Sequence, residues 1–168
     1  RRTLSEHLDG RKIHFKGFKW TAKEIKQVKD VHFVACGSAY HAGTVGAYVC
    51  EKLFKRTSIA EIASEFRYRN PHIDKNSLVV IISQSGETAD TLAALRIAKE
   101  KKAKIISIVN VENSTIALES ANTILTKAGP EIAVATTKAY SAQLTVIYSL
   151  ILYLAVMSNE MERKEAIK

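Results

Sequence analysis

Six consecutive residues, Ser83-Gln84-Ser85-Gly86-Glu87-Thr88, carry three hydroxyls, an amide, a carboxylate and a glycine. They lie between an apolar run at 78–82, read as a strand, and a helical pattern at 89–102. That position suits an anion. The first turn of a helix leaves its N–H groups without internal partners and carries a partial positive charge, so a phosphate there gains hydrogen bonds without a lysine. Gly86 lets the backbone come close, and Ser83, Ser85 and Thr88 can donate hydroxyl hydrogen bonds. Serine and threonine ahead of a helix usually act as plain N-caps, but three hydroxyls and Gln84 exceed what one cap requires.

Two further polar turns have the same layout. Cys36-Gly37-Ser38 closes an apolar run at 31–36 ahead of a helical stretch at 39–54, and Val134-Ala135-Thr136-Thr137 precedes a long helix from Lys138. In the stretch at 39–54, Ala42, Val45, Val49 and Leu53 recur at helical spacing and mark its expected buried face. Further strands are read at 57–62, 104–109 and 124–126, the last short and at an edge. A short helix capped by Ser114 is expected between the last two. Strands alternating with helices predict an α/β fold, a three-layer αβα sandwich on a five-stranded parallel sheet of the doubly wound, flavodoxin-like type. Ligands of such sheets sit beyond the carboxyl ends of the strands, near the switch in strand order, where the three polar turns are expected to meet.

The 168 residues fit one domain with a sizeable core, and 46% hydrophobic with 25% charged residues is ordinary for a globular protein. The formal charge of +8 suits anionic metabolites. No basic motif interleaved with aromatics points to nucleic acid, and none is expected as a partner. Cys36 and Cys50 lack the paired Cys or His spacing of a zinc site, so no metal is expected and a reduced, cytoplasmic setting is. The uncharged run at 139–159 holds Ser141, Gln143, Thr145 and Ser149, and reads as a helix buried on several sides, not a membrane span. Residues 1–20 are polar and basic with no sustained period and read as an arm or linker from something upstream. Thr21 and Glu24 form a capping box opening a short helix. His41, alone on the first turn of its helix, reads as structural. Arg67 and Arg69 could meet an anion or a neighbouring subunit, though exposed arginines usually do neither.

Four ordered segments resemble a known family. They are Ala35-Cys36-Gly37-Ser38-Ala39-Tyr40-His41, Glu61-Ile62-Ala63-Ser64-Glu65-Phe66-Arg67-Tyr68-Arg69, Ser83-Gln84-Ser85-Gly86-Glu87-Thr88-Ala89-Asp90-Thr91-Leu92, and the run from Ala128-Gly129-Pro130 through Thr137-Lys138-Ala139-Tyr140. Together they look like the first sugar isomerase (SIS) domain of the glucosamine-6-phosphate synthase family, over about residues 20–155. The resemblance implies that Ser83, Gln84, Ser85 and Thr88 hold the phosphate of fructose 6-phosphate or glucosamine 6-phosphate. Cys36, Gly37, Ser38, Val134 and Ala135 would line the sugar, with no cofactor. The family often has Cys-Gly-Thr-Ser where this chain has Cys36-Gly37-Ser38-Ala39, so one hydroxyl is kept and one is lost.

On this resemblance residues 1–20 would link to a glutaminase domain, 21–160 would form the SIS domain, and 161–168 would lead toward a second SIS domain. The family's proton-transfer and Schiff-base groups lie in the parts outside this segment, so the chain is expected to bind a hexose 6-phosphate without catalysing alone. The uncharged run at 139–159 is too apolar for one small domain to cover, so a homodimer is expected. Neither Lys138 nor Glu87 is expected to act as a base; at helix starts such residues usually make capping, dipole or packing contacts. The rival readings are a stand-alone sugar-phosphate sensor, and a single-domain phosphosugar isomerase with His41, Glu65 or His72 near a ligand shared between subunits. A flavin site is the analogue to exclude.

Overall fold

A computed structural model describes residues 2–9, 12–129 and 137–166. The chain opens with α1 (Arg2–His7) and a minimal antiparallel pair, β1 (Leu8–Asp9) and β2 (Lys12–Ile13). The short helix α2 (Ala22–Lys26) begins at a complete capping box: the Thr21 hydroxyl accepts the Glu24 N–H at 3.3 Å, and the Glu24 carboxylate accepts the Thr21 N–H at 2.8 Å.

The main body is β3 (Asp30–Ala35), α3 (Ser38–Leu53), β4 (Thr57–Ile62), α4 (Ala63–Tyr68), β5 (Ser77–Ser83), α5 (Ala89–Glu100), β6 (Lys104–Val109), α6 (Thr115–Glu119), β7 (Thr123–Leu125) and α7 (Lys138–Ser158). All five main strands are parallel, in the order β4-β3-β5-β6-β7. This is the expected doubly wound sheet, with order 2-1-3-4-5 and its switch between β3 and β5. The central strand β5 is buried along its whole length, as befits a parallel strand covered on both faces.

Alternate residues of each strand feed two cores. Phe33, Val80, Ile82, Ile106 and Ile108 face α3 and α7; Val34, Val79, Ile81, Ile105 and Val109 face α4, α5 and α6. The buried face of α3 differs from the expectation. It is the small-residue stripe Ala39, Ala42, Gly43, Gly46, Ala47 and Cys50, while Val45, Val49 and Leu53 are only half-buried. A side chain at Gly46 would come within 2.9 Å of both Ile147 and Phe33, so the helix is pressed between the sheet and α7 and needs small residues there.

Within the stretch 1–20, read from sequence as an arm or linker, residues 12–20 pack against this core. Phe15 is buried and meets Tyr153 of α7 edge-on at 5.5 Å, Phe18 meets the same ring at 5.3 Å, and Trp20 stacks edge-on against Phe18. The lack of a sequence period hid this because aromatics spaced two and three apart fit neither a helix nor a strand. The helix α7 is long and apolar enough to cross a membrane, with mean hydropathy 1.6 over its most apolar window. Its inner face, including Ala142, Val146, Ile147, Leu150, Ile151 and Leu154, lies in the core beside α3.

Candidate functional site

The sheet register sets the site. Ala35 of β3 pairs with Ile82 of β5, so Cys36 and Ser83 leave adjacent strands side by side at their carboxyl ends. The chain then turns to opposite faces of the sheet, into α3 and α5, and both helix N-termini border the crevice at the switch point.

The 83–88 loop is shaped by its own hydroxyls. The Ser83 hydroxyl, nearly buried, accepts the Gly86 N–H at 3.0 Å and lies 3.2 Å from the Thr88 hydroxyl, and Ser85 Oγ accepts the Glu87 N–H at 3.2 Å. Gly86 has φ +70, the left-handed region, and a Cβ there would run into the Ser114 side chain. Thr88 occupies the N-cap position of α5 but makes no side-chain cap bond. The plain-cap interpretation of this cluster therefore fails: the first-turn N–H groups of α5 are not taken up by Thr88, and Gln84, Ser85 and Thr88 remain half-buried beside them.

On the neighbouring strand, Cys36 Sγ accepts a weak hydrogen bond from Thr91 Oγ1 at 3.7 Å, which ties the 36–38 turn to the first turn of α5. Gly37, at φ +59, N-caps α3, and its carbonyl accepts the Tyr40 N–H at 3.1 Å. Gly37 and Ser38 are exposed and Cys36 is half-buried. Ala39 is buried in the core beside them. The structure thus brings Cys36, Gly37, Ser38, Ser83, Gln84, Ser85 and Thr88 to one crevice. Val134 and Ala135 lie outside the described residues.

The cap of α6 differs from expectation. Ser114 stands at the N-cap position of α6, but its hydroxyl donates to the Val111 carbonyl at 2.7 Å and makes no cap bond. The cap comes from Glu87 of the loop, whose carboxylate accepts the Thr115 N–H at 2.6 Å and the Thr115 hydroxyl at 2.8 Å. The backbone N–H and then the hydroxyl of Thr115 hold the Glu87 carboxyl below its ordinary range. Glu87 is therefore a clamp between the loop and α6, in keeping with the capping role read for it from sequence.

Asn110, at the end of β6, was missed in the sequence. Its backbone N–H donates to the Gln84 carbonyl at 3.2 Å. Its side chain accepts from Thr126 Oγ1 at 2.9 Å and from the Ala128 N–H at 2.8 Å, and donates to the Gly129 carbonyl at 2.9 Å. The segment that leads toward 134–135 is thereby fastened to the 83–88 loop. The position of an asparagine one residue past a buried strand was the available signal.

The two arginines of the 61–69 segment both find carboxylates. Arg69 Nε donates to Glu61 Oε2 at 2.6 Å, and its Nη2 binds the same oxygen. The other Glu61 oxygen lies 2.7 Å from His32 Nδ1, whose Nε2 is 3.1 Å from Asp30 Oδ1. Arg67 Nη1 lies 3.3 Å from Asp90 Oδ1 in the first turn of α5. A cavity of about 290 Å³ lined by His7, Phe15, Leu125 and Lys127 contains none of the crevice residues.

This sheet, with its crevice at the strand switch, defines the class of the protein: the chain belongs to the SIS-domain family, whose model matches residues 24–153. Among proteins of known name, it is 49% identical to the glutamine–fructose-6-phosphate aminotransferase (isomerizing) of Clostridium tetani over 156 residues. That match covers 93% of this chain and 26% of the relative. The enzyme of the same name from Clostridium acetobutylicum is 47% identical over 161 residues, covering 96% of this chain and 26% of the relative. The chain spans about a quarter of the length of these relatives. Among solved structures, the C-terminal domain of glucosamine-fructose-6-phosphate aminotransferase from Francisella tularensis superposes with a TM-score of 0.90 at 38% identity, over 98% of this chain and 46% of that one. The chain is an SIS domain homologous to the isomerase part of these aminotransferases.

Proposed function

We propose that this domain binds a hexose 6-phosphate, fructose 6-phosphate or glucosamine 6-phosphate, as part of an enzyme that makes glucosamine 6-phosphate from fructose 6-phosphate and glutamine. The observation that carries this reading is the 83–88 loop: a hydroxyl-lined turn at the strand switch, ahead of a helix whose first N–H groups are not capped by Thr88. The phosphate sits there, held by Ser83, Gln84, Ser85, Thr88 and the first turn of α5. The sugar extends toward Cys36, Gly37 and Ser38, with Val134 and Ala135 completing its contacts.

Isomerising a ketose needs an acid/base group near C1 and C2, and amination needs a positioned amine source. In the crevice Glu87 is committed to Thr115. The chemistry therefore belongs to segments corresponding to the other three quarters of the relatives, a glutaminase domain and a second SIS domain, and this segment supplies the phosphate grip. The setting is the cytoplasm and the assembly a homodimer.

The test is a calorimetric titration of the chain with fructose 6-phosphate and glucosamine 6-phosphate, repeated with Ser85→Ala and Thr88→Ala. Loss of one hydroxyl bond to a charged group, about 1.5–3 kcal/mol, is expected to weaken binding at least about tenfold in each variant. Binding that survives both substitutions unchanged removes the phosphate from this loop. Production of glucosamine 6-phosphate by the chain alone overturns its non-catalytic role.

A further inference from the structure

The 83–88 loop contains no cation; its own carboxylate, Glu87, is turned onto Thr115 of α6, and the next one along the chain, Asp90, works against a phosphate. Asp90 lies in the first turn of α5, within a helical turn of the N–H groups that face the crevice. A negative charge at that place stabilises the helix but repels a bound anion. A hexose 6-phosphate carries about 1.5–2 negative charges at neutral pH, so the repulsion acts on the ligand's strongest anchor.

The structure supplies the counter-charge from another element. The α4 helix follows β4 at the carboxyl edge of the sheet and packs beside α5, and this brings Arg67 to Asp90 with Nη1 3.3 Å from Oδ1. Both side chains are partly exposed, 44% and 38%. The pair therefore adds little to stability. Its effect falls on the potential at the crevice. Arg69, two residues on, is occupied by Glu61 and leaves Arg67 as the arginine of that segment facing α5.

We propose that Arg67 is a positioning residue for anion recognition: by pairing with Asp90 it cancels the carboxylate beside the α5 N-terminus and lets that end of the helix accept a phosphate dianion. The proposal rests on the hexose-phosphate reading of the 83–88 loop. A charge of this size a few ångströms from a dianion, in partly screened surroundings, changes affinity by about three- to tenfold.

The experiment is calorimetric titration of the chain with fructose 6-phosphate and, separately, with inorganic phosphate, at about 20 mM and about 300 mM salt. The forms compared are the parent chain, Arg67→Ala, Arg67→Lys, Asp90→Asn and the double variant Arg67→Ala/Asp90→Asn, with thermal melts to establish that each folds. Arg67→Ala is expected to weaken both ligands about three- to tenfold at low salt and much less at high salt. Arg67→Lys keeps most of the affinity, and the double variant returns to within about twofold of the parent, because removing both charges restores neutrality. A merely structural role for Arg67 predicts no rescue by Asp90→Asn. Unchanged affinity in Arg67→Ala, or a double variant as weak as Arg67→Ala, overturns the proposal while leaving the loop assignment intact. A parent chain that binds neither ligand, or one whose binding ignores Ser85→Ala, overturns the loop assignment and this proposal with it.

Discussion

Glu61 shows how a residue outside the crevice carries structural weight. Burial by itself would raise its pKa, yet hydrogen bonds from His32 and Arg69 outweigh that and hold the carboxyl below its ordinary 4.5. A group whose folded pKa lies below its unfolded value contributes stability above the unfolded pKa and loses it as the pH falls through the folded one. Acid should therefore unfold the protein in part through Glu61, at pH values below about 4.5. Glu61→Gln is expected to cost about 1–3 kcal/mol at neutral pH, because it leaves Arg69 and His32 short of a charged partner. It also flattens the acid limb of the stability curve. Urea unfolding of both forms at several pH values checks this, and parallel curves for the two forms contradict it. The eight-residue spacing from Glu61 to Arg69 gave no sign of the pair in sequence, since the two belong to different elements and no neighbour spacing within a helix or a strand joins them. Only the reversal of the chain from β4 into α4 brings the two together.

At the scale of elements, α3 is the informative case. Hydrophobic periodicity favours large residues, so Val45, Val49 and Leu53 were read as its inner face. The helix instead buries its smallest residues, because Phe33 below and Ile147 above leave room for little more than backbone. Gly46→Ala tests that fit. Alanine improves helix propensity by about 1 kcal/mol, whereas forcing a methyl group against Phe33 and Ile147 costs about 1–3 kcal/mol. A net loss of about 1 kcal/mol and a lower melting temperature are expected, and a rise in melting temperature would show that α3 and α7 give way easily. Cys50, on the same buried stripe, has its thiol pushed up to about 11, chiefly by burial, and packs as an inert small residue.

The whole molecule leaves part of its apolar surface open. Leu4 and Tyr148 are each more than 40% exposed, and together with Leu8, Ile13, Leu144 and Leu152 they line one groove along the outer side of α7. A surface of this kind supports the proposed association of two copies. Sedimentation equilibrium is expected to give a dimer that Tyr148→Glu dissociates, with the variant keeping its fold by circular dichroism. A parent chain that stays monomeric across the concentration range would count against the homodimer.

The sequence by itself determined the strand and helix order, the parallel sheet and the hydroxyl-rich turn after the third main strand. Each of these is local: apolar periodicity, capping chemistry and glycine punctuation act over a few residues and survive in the one-dimensional record. Tertiary structure decided which chain segments meet. It set Cys36 beside Ser83 through the sheet register, turned Glu87 onto α6, bound Asn110 to the segment after β7, brought Arg67 to Asp90 and folded the N-terminal aromatics onto Tyr153. These contacts join residues from 16 positions apart, as for Asn110 and Thr126, to 138, as for Phe15 and Tyr153. No periodicity spans such distances, because they are set by how packed helices and a twisted sheet close on one another.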